Sequence, residues 1–158
     1  MAEMSNLQLS LRNVSLKDAE ILFAWRNDVK TRMASRTGAE LKWEDHLAWL
    51  ESSLKNPKRV LVIAERKNIP VGTARADKRA DGFTEISYTI APEARGQGLS
   101  KPMVLQFVRE FLKGRRITAT IKKGHVPSES VARTLGLAPY SEKPSDNPAD
   151  SQPMVEWR

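Results

Sequence analysis

A glycine-containing turn between a strand pattern and a helix pattern constrains this chain more than any other feature. Residues 83–90 alternate as a strand, and apolar residues recur at helical spacing over 101–113. The turn between them is Arg95-Gly96-Gln97-Gly98-Leu99-Ser100. Its glycines would let backbone N–H groups approach a ligand, and the N-terminus of the next helix attracts negative charge. The turn is therefore a candidate diphosphate site, with Arg95 adding a charged contact and Ser100 capping the helix; alone, such a turn is also common as a structural connection.

The other patterns predict one mixed α/β domain over residues 1–158. The predicted strands are 8–12, 60–64, 71–75, 83–90, 117–121 and 154–157, and the predicted helices are 19–25, 43–54, 101–113 and 128–135. The segment 68–70 is expected to join the second and third strands as a hairpin. Residues 143–153, rich in Pro, Ser, Asp and Asn, are expected to form a mobile loop.

The chain contains no cysteine, which excludes disulfides, zinc–thiolate sites and an acyl-cysteine intermediate. Two histidines, His46 and His125, show no metal-ligand spacing with acidic residues, so we expect no metal. The net charge of +7 is compatible with nucleic acid, an anionic membrane surface or an anionic small ligand. Because the basic residues are spread along the chain, we expect no nucleic-acid partner, and a basic nucleic-acid adaptor is a minor alternative.

No stretch approaches the ~20 apolar residues of a membrane span. The first residues have neither the basic region nor the apolar region of a signal peptide. We therefore expect a cytoplasmic protein with no membrane association.

The segment 90–100 resembles the signature loop of the GNAT superfamily of N-acetyltransferases. That loop has Arg or Gln, two residues, Gly, one residue, and then Gly or Ala. Arg95 and Gly98 match it, and Ser100 departs from it at the last position.

A second GNAT landmark is matched in part. The family often has Asn, two residues and Ser, followed by Leu-Gly-Phe; this chain has His125-Val126-Pro127-Ser128 and then Leu135-Gly136-Leu137. The resemblance extends from Leu11 to about Leu137.

The resemblance implies the GNAT fold, a mixed, mostly antiparallel central sheet flanked by helices and splayed between the fourth and fifth strands. It also implies acetyl-CoA as co-substrate, with the thioester in the gap and a backbone N–H near Ile90 facing its carbonyl. The implied CoA-binding residues are Ile90, Arg95, Gly96, Gln97, Gly98, Leu99, Ser100, His125 and Ser128.

Glu85 is the candidate general base. Strand alternation places it on one face with Ser87 and Thr89, opposite Tyr88 and Ile90. The resemblance implies that an acid here acts on the amine directly or through water. The alternatives are a solvated face or an ion pair with Arg75.

The general acid is left open by the sequence. Many relatives carry a tyrosine seven residues beyond the Asn position, where this chain has Ala132. Ser128, Tyr140, His125 or water are the alternatives, and Ser128 and Tyr140 join Glu85 as candidate catalytic residues.

Two further segments, 25–28 and 46–49, resemble the branch of nucleotide-linked aminosugar N-acetyltransferases; ribosomal-protein N-terminal acetyltransferases share some of these features. The likeness implies that Trp25, Arg26, His46 and Trp49 contact the acceptor. We therefore predict acetyl transfer to a primary amine, with a nucleotide-linked aminosugar as the favoured acceptor. A peptide N-terminus, or a CoA-binding module without catalysis, is the alternative, and a homodimer is compatible with the sequence.

Overall fold

One seven-stranded sheet organises the molecule, in the order β1-β2-β3-β4-β5-β7-β6. The computed structural model describes residues 8–34, 38–145 and 152–158. The strands are β1 (Ser10–Asn13), β2 (Arg59–Arg66), β3 (Ile69–Lys78), β4 (Phe83–Ile90), β5 (Arg116–Lys122), β6 (Pro139–Lys143) and β7 (Met154–Trp157). The helices are α1 (Ala19–Asn27), α2 (Val29–Ala34), α3 (Trp43–Lys55), α4 (Ser100–Phe111) and α5 (Val126–Thr134).

Adjacent strands are antiparallel except β4 and β5, which are parallel. The ladder between these two joins residues 83–86 to residues 116–119 and ends there. The second half of β5 pairs with β7, which lies along its other edge. The predicted GNAT fold, with its mostly antiparallel sheet splayed between the fourth and fifth strands, is therefore confirmed.

The hairpin between β2 and β3 turns one step earlier than predicted. Lys67 and Asn68 occupy the turn with φ of 53° and 67°, the conformation of a two-residue hairpin turn that matches strand twist. Pro70 already belongs to β3, where the register shifts between Ala64 and Glu65. A bulge tolerates proline within a sheet because the ladder hydrogen bond is already interrupted.

Two elements, α2 and β6, were not predicted. Helix α3 is present as predicted, but the face that it buries is not the one that the spacing of its apolar residues indicates. Helical spacing of the apolar residues places Trp43, Leu47, Leu50 and Leu54 on one side, but Leu54 is 40% exposed, whereas His46, Leu50 and Ser53 are buried. A histidine can lie at the centre of this face because its polar atoms have protein partners.

Helix α4 packs against the sheet through Met103, Val104 and Phe107. Gly72 on β3 permits this approach, since a Cβ there would lie 2.9 Å from Met103 Sδ and 2.9 Å from the Thr89 carbonyl oxygen. Contacts under 3.0 Å to a Cβ essentially never occur in real structures. The glycine thus sets the position of α4, and with it the position of the turn that precedes the helix.

The Asp18 carboxylate, just before α1, makes hydrogen bonds whose contribution to stability depends on pH. Its carboxylate accepts bonds from Arg12 Nη1 and Nη2 at 2.9 and 2.8 Å and from the Ser15 N–H at 2.9 Å. These bonds, led by Arg12, lower the pKa of Asp18. We expect Asp18→Asn to lower the unfolding free energy by about 1 kcal/mol at pH 7.

The sign of the pH effect follows from that lowered pKa. The stabilisation is fully present above the unfolded pKa of Asp, about 3.9, and is lost as pH falls through the lower folded value. Denaturant unfolding of both proteins at pH 7 and at acid pH measures the difference. A difference that stays constant down to acid pH would contradict the assignment.

The predicted loop at 143–153 lies largely outside the described residues, since 146–151 are not among them; Lys143 itself ends β6. The predicted closing strand 154–157 is present as β7. Within the described parts of the chain, no helix has the length and apolar character needed to cross a membrane.

Candidate active site

Beyond Ile86, β4 and β5 diverge and leave a cleft of about 1370 Å³. The Ala91 N–H donates to the Val71 carbonyl at 2.8 Å, on the β3 side. Successive N–H groups along a strand point to opposite sides, so the Ile90 N–H points toward β5 and the gap. Ile90 also lines the cleft. Its N–H is therefore available to a carbonyl bound there.

The glycine turn lies at one end of this cleft. Gly96 and Gly98 have φ of 78° and 70°, in the left-handed region that favours glycine. A Cβ on either residue would meet no atom within 4 Å. Open space beside the backbone at the N-terminus of α4 fits a diphosphate, which converging N–H groups can bind.

Ser100 does not cap α4, contrary to the prediction. The N-cap is Leu99, which makes no side-chain cap bond, because Ser100 is already the first helical residue. Both residues line the cleft. The prediction that they bind CoA stays a prediction.

Arg95 connects the turn to the α1–α2 junction. Its Nη2 pairs with the Asp28 carboxylate and donates to Thr31 Oγ1 at 3.2 Å. The bond from Arg95 is the main reason that the pKa of Asp28 is lowered. Arg95 lines the cleft, so it can face a diphosphate while holding the helices against the turn. Gln97 is held beside it, accepting from Arg66 Nη1 at 3.1 Å.

Charged side chains cover the face of β3 and β4 that carries Glu85, which we call the acceptor face. Arg75 lies opposite Ser87, and Asp77 opposite Glu85. Asp77 pairs with Arg59 at 2.5 Å and with Arg75 at 2.9 Å. Arg79 Nη1 lies 3.6 Å from Glu85 Oε1 and forms an ion pair with it.

Helices α1 and α3 add Arg26 and Trp49 to this face. The Arg26 guanidinium lies 4.0 Å from the Trp49 ring centroid. Burial, together with the charges of Arg75 and Arg59, lowers the pKa of Arg26 to about 10. Arg26 thus presents a partly desolvated cation to the cleft that it lines.

His46 is buried beneath Arg26 and forms a hydrogen bond with its guanidinium. Its Nε2 lies 2.8 Å from the Ala19 carbonyl oxygen and must carry the proton, which leaves Nδ1 to accept from Arg26 Nη1 at 3.1 Å. Burial lowers the pKa of His46, so the neutral form is favoured. His46 is fully buried, and its predicted acceptor contact would have to act through Arg26.

The remaining residues of the 25–28 segment have separate positions. Trp25 is 2% exposed and belongs to the core. Asn27 exchanges two hydrogen bonds with the Leu41 backbone, at 2.9 and 2.6 Å, which ties the chain before α3 to α1. Among the described residues that border the cleft, Trp25 and His46 are not included, whereas Arg26 and Trp49 are.

His125 and Ser128 lie together on the other side of the gap, at the start of α5. The His125 Nδ1 and Ser128 Oγ are 2.8 Å apart, and both residues line the cleft. Tyr88 lines the cleft as well, and its interaction with Ser128 opposes the rise that burial causes in its pKa. Tyr140, on β6, is 61% exposed, and the Arg158 guanidinium lies 4.0 Å from its ring centroid. Neither Tyr140 nor Gln97 is among the described residues that border the cleft.

Four residues that line the cleft were not predicted as site residues: Arg59, Arg75, Asp77 and Tyr88. Arg75 and Asp77 alternate with alanines along β3, and this period-two pattern was the available signal. Arg59 gave no such signal because its role depends on the β2–β3 register. In the part of the chain that is described, no three His, Asp or Glu side chains come together as a metal site.

A sheet that splays beside a glycine turn and a helix N-terminus, with an open cleft between the strands, defines a CoA-dependent acyltransferase. The chain belongs to the GNAT acetyltransferase family, whose domain model matches residues 8–138. It is therefore an N-acetyltransferase that uses acetyl-CoA as co-substrate. A search of curated protein sequences finds no match.

Solved structures share the fold. A ribosomal-protein-alanine N-acetyltransferase from Brucella melitensis has a TM-score of 0.80 and 21% identity, covering 94% of this chain and 97% of that one. An N-acetyltransferase from Staphylococcus aureus Mu50 has a TM-score of 0.77 and 17% identity, covering 95% and 96%. Spermidine N-acetyltransferase from Vibrio cholerae, in complex with CoA and spermine, has a TM-score of 0.82 and 13% identity, covering 96% and 95%.

Proposed function

We propose that this enzyme moves an acetyl group directly from acetyl-CoA to the primary amine of an anionic acceptor, and that the acceptor is a nucleotide-linked aminosugar. Direct transfer is favoured because the chain has no cysteine to form a thioester intermediate. The proposal treats residues 1–158 as one catalytic domain and retains the cytoplasmic location expected from the sequence.

The arginine cluster around Trp49 carries the acceptor proposal. The guanidinium carbons of Arg26, Arg59 and Arg75 lie 4.0, 5.7 and 5.8 Å from the Trp49 ring centroid. Asp77 offsets part of this charge. The remaining positive charge favours phosphate or carboxylate groups, which guanidinium binds through paired hydrogen bonds. A polyamine would meet like charge at the same place.

The geometry supports a short reaction sequence on the acceptor face. The amine must be neutral to attack, so Glu85 would accept its proton directly or through water. The Ile90 N–H would stabilise the oxyanion that forms as the nitrogen adds to the thioester carbonyl. Collapse of that intermediate breaks the carbon–sulfur bond and releases a thiolate, which must take up a proton.

A panel of acceptors tests the proposal, with free thiol followed as the product of acetyl-CoA. The panel contains a nucleoside-diphosphate aminosugar, a peptide beginning with alanine, and spermidine. We expect the aminosugar to give the highest kcat/KM. Faster transfer to the peptide would favour a protein N-terminal acetyltransferase, faster transfer to spermidine would contradict the anionic acceptor, and CoA binding without any thiol release would indicate a module without catalysis.

Arg26→Gln tests the acceptor site specifically. We expect the KM of the anionic acceptor to rise about 10- to 100-fold, the value of a charge-assisted hydrogen bond, while the KM of acetyl-CoA stays within about twofold. Arg109→Gln, an exposed site on α4, removes the same charge away from the cleft and serves as the control. Equal acceptor KM values in the two variants would exclude Arg26 from acceptor binding.

A further inference from the structure

The leaving thiolate needs a proton donor, and the helical position that holds a tyrosine in many relatives cannot supply one. That position is Ala132, on α5, which is 2% exposed. The donor must therefore be another group at the gap between β4 and β5, or water.

Tyr88 lies on the part of β4 that has left the β5 ladder, two residues before Ile90, and it lines the cleft. Strand alternation places its side chain on the same face as Ile86 and Ile90. The Ile90 Cδ1 lies near Gly72 and Met103, so this face is the one covered by α4. Glu85 lies on the opposite, acceptor face. A proton acceptor and a proton donor would thus approach the gap from opposite faces of one strand.

Tyr88 borders the same cleft as two polar side chains at the start of α5, Ser128 and His125. His125 Nδ1 lies 2.8 Å from Ser128 Oγ, so these two side chains form a polar pair that faces the cleft beside Tyr88. Burial raises the pKa of Tyr88, and its interaction with Ser128 opposes that shift. The phenol therefore carries its proton at neutral pH, while Ser128 is positioned to stabilise the phenolate.

We propose that Tyr88 donates the proton to the CoA thiolate and that Ser128 and His125 return a proton to it from solvent. The inference rests on the proposed direct acetyl transfer. As the carbon–sulfur bond breaks, its electron pair goes to sulfur, and sulfur takes the phenol proton to give free thiol. The phenolate regains a proton through the Ser128 hydroxyl and the His125 imidazole, so the chain ends the cycle unchanged and the amine proton leaves by Glu85.

Tyr140 is the competing tyrosine, because the chain has two tyrosines in all. The Arg158 guanidinium lies against the Tyr140 ring and 4.2 Å from the ring centroid of Phe83, at the end of β4 remote from Ile90. Because there are only two tyrosines, Tyr140→Phe leaves Tyr88 as the single tyrosine whose resonance NMR would observe.

Kinetics and NMR together test the role of Tyr88. We expect Tyr88→Phe to lower kcat about 10- to 100-fold, with water replacing the donor in part, and to leave the Kd for CoA unchanged by calorimetry. The fall of wild-type kcat at alkaline pH should disappear in this variant. In Tyr140→Phe protein labelled with ¹³Cζ-tyrosine, CoA should shift the Tyr88 resonance, and Ser128→Ala should raise the pKa of Tyr88.

The outcomes distinguish failure of the Tyr88 donor role from failure of the proposed acetyl transfer. Active wild type with an equally active Tyr88→Phe variant, or a Tyr88 resonance unaffected by CoA, would overturn the donor role alone. Loss of kcat in Tyr140→Phe but not in Tyr88→Phe would assign the role to Tyr140. Wild type that releases no thiol with any amine would overturn the proposed function, and the donor role with it.

Discussion

Glu85→Gln is expected to lower kcat/KM by about 10²- to 10⁴-fold, the range for loss of a positioned acid–base group. Glutamine has nearly the same shape but cannot accept the amine proton. Glu85 lines the cleft on the acceptor face, opposite Asp77. Steady-state rates of thiol release measure the loss, and calorimetry should show the same CoA affinity as in wild type. The fold-loss in kcat/KM should become smaller as pH rises toward the pKa of the amine, because the acceptor amine is then neutral when it binds.

Glu156→Gln separates proton transfer from ion pairing. Glu156 also pairs with Arg79, at 3.3 Å, and with Arg158, at 2.5 Å. Glu156 is 7% exposed. It is not one of the described residues that border the cleft. This control should lower the melting temperature and keep kcat/KM near that of wild type. Wild-type rates at all pH values in Glu85→Gln would remove Glu85 from the mechanism.

Gly98→Val is expected to weaken CoA binding by at least about 100-fold. The φ of 70° at Gly98 strains a β-branched residue by about 1–3 kcal/mol. The new side chain would also occupy the open space beside the turn, where a diphosphate must approach the backbone. Each N–H bond lost to a charged group costs about 1.5–3 kcal/mol. Calorimetric titration with CoA measures the change.

Gly114→Val is the matched control for that variant. Gly114 has a φ of 79° and nothing within 4 Å of a Cβ, and it follows α4 at the end remote from the turn. In the described structure it does not border the cleft. Both variants should therefore lose stability, but Gly98→Val alone should lose CoA affinity. Tight CoA binding by Gly98→Val would mean that the diphosphate lies elsewhere.

Local patterns predicted much of the fold because single elements here follow their own periodicity. The strand 83–90 was predicted to the residue, and the turn-forming Asp81-Gly82 before it has Gly82 at φ 90°. Helix α2 and strand β6 lack such a pattern. Strand β6 is the edge strand beside β7 and is largely exposed on both faces, so its alternation carries little signal. Its existence depends on pairing with β7, which follows it in the chain after residues 144–153.

The candidate site was predicted unevenly for a similar reason. The glycine turn depends on backbone conformation, which neighbouring residues encode. The acceptor face instead depends on register, since Asp77 meets Glu85 and Arg59 only after three strands align. His46 was expected to touch the acceptor, but its two ring nitrogens are taken by Ala19 and Arg26. Which face of α3 is buried depends on contacts with α1 that helical spacing alone does not specify.

The glycine turn shows what the sequence by itself determined. Gly96 and Gly98 can take left-handed backbone angles that other residues avoid, and the strand and helix patterns on either side place them before a helix N-terminus. These are properties of short segments, so a candidate diphosphate turn could be predicted without a structure. The arginine cluster around Trp49 and the grouping of Tyr88 with Ser128 and His125 join residues from different elements. Only tertiary structure decided them, because side-chain chemistry across a sheet depends on which strands pair and where their pairing stops.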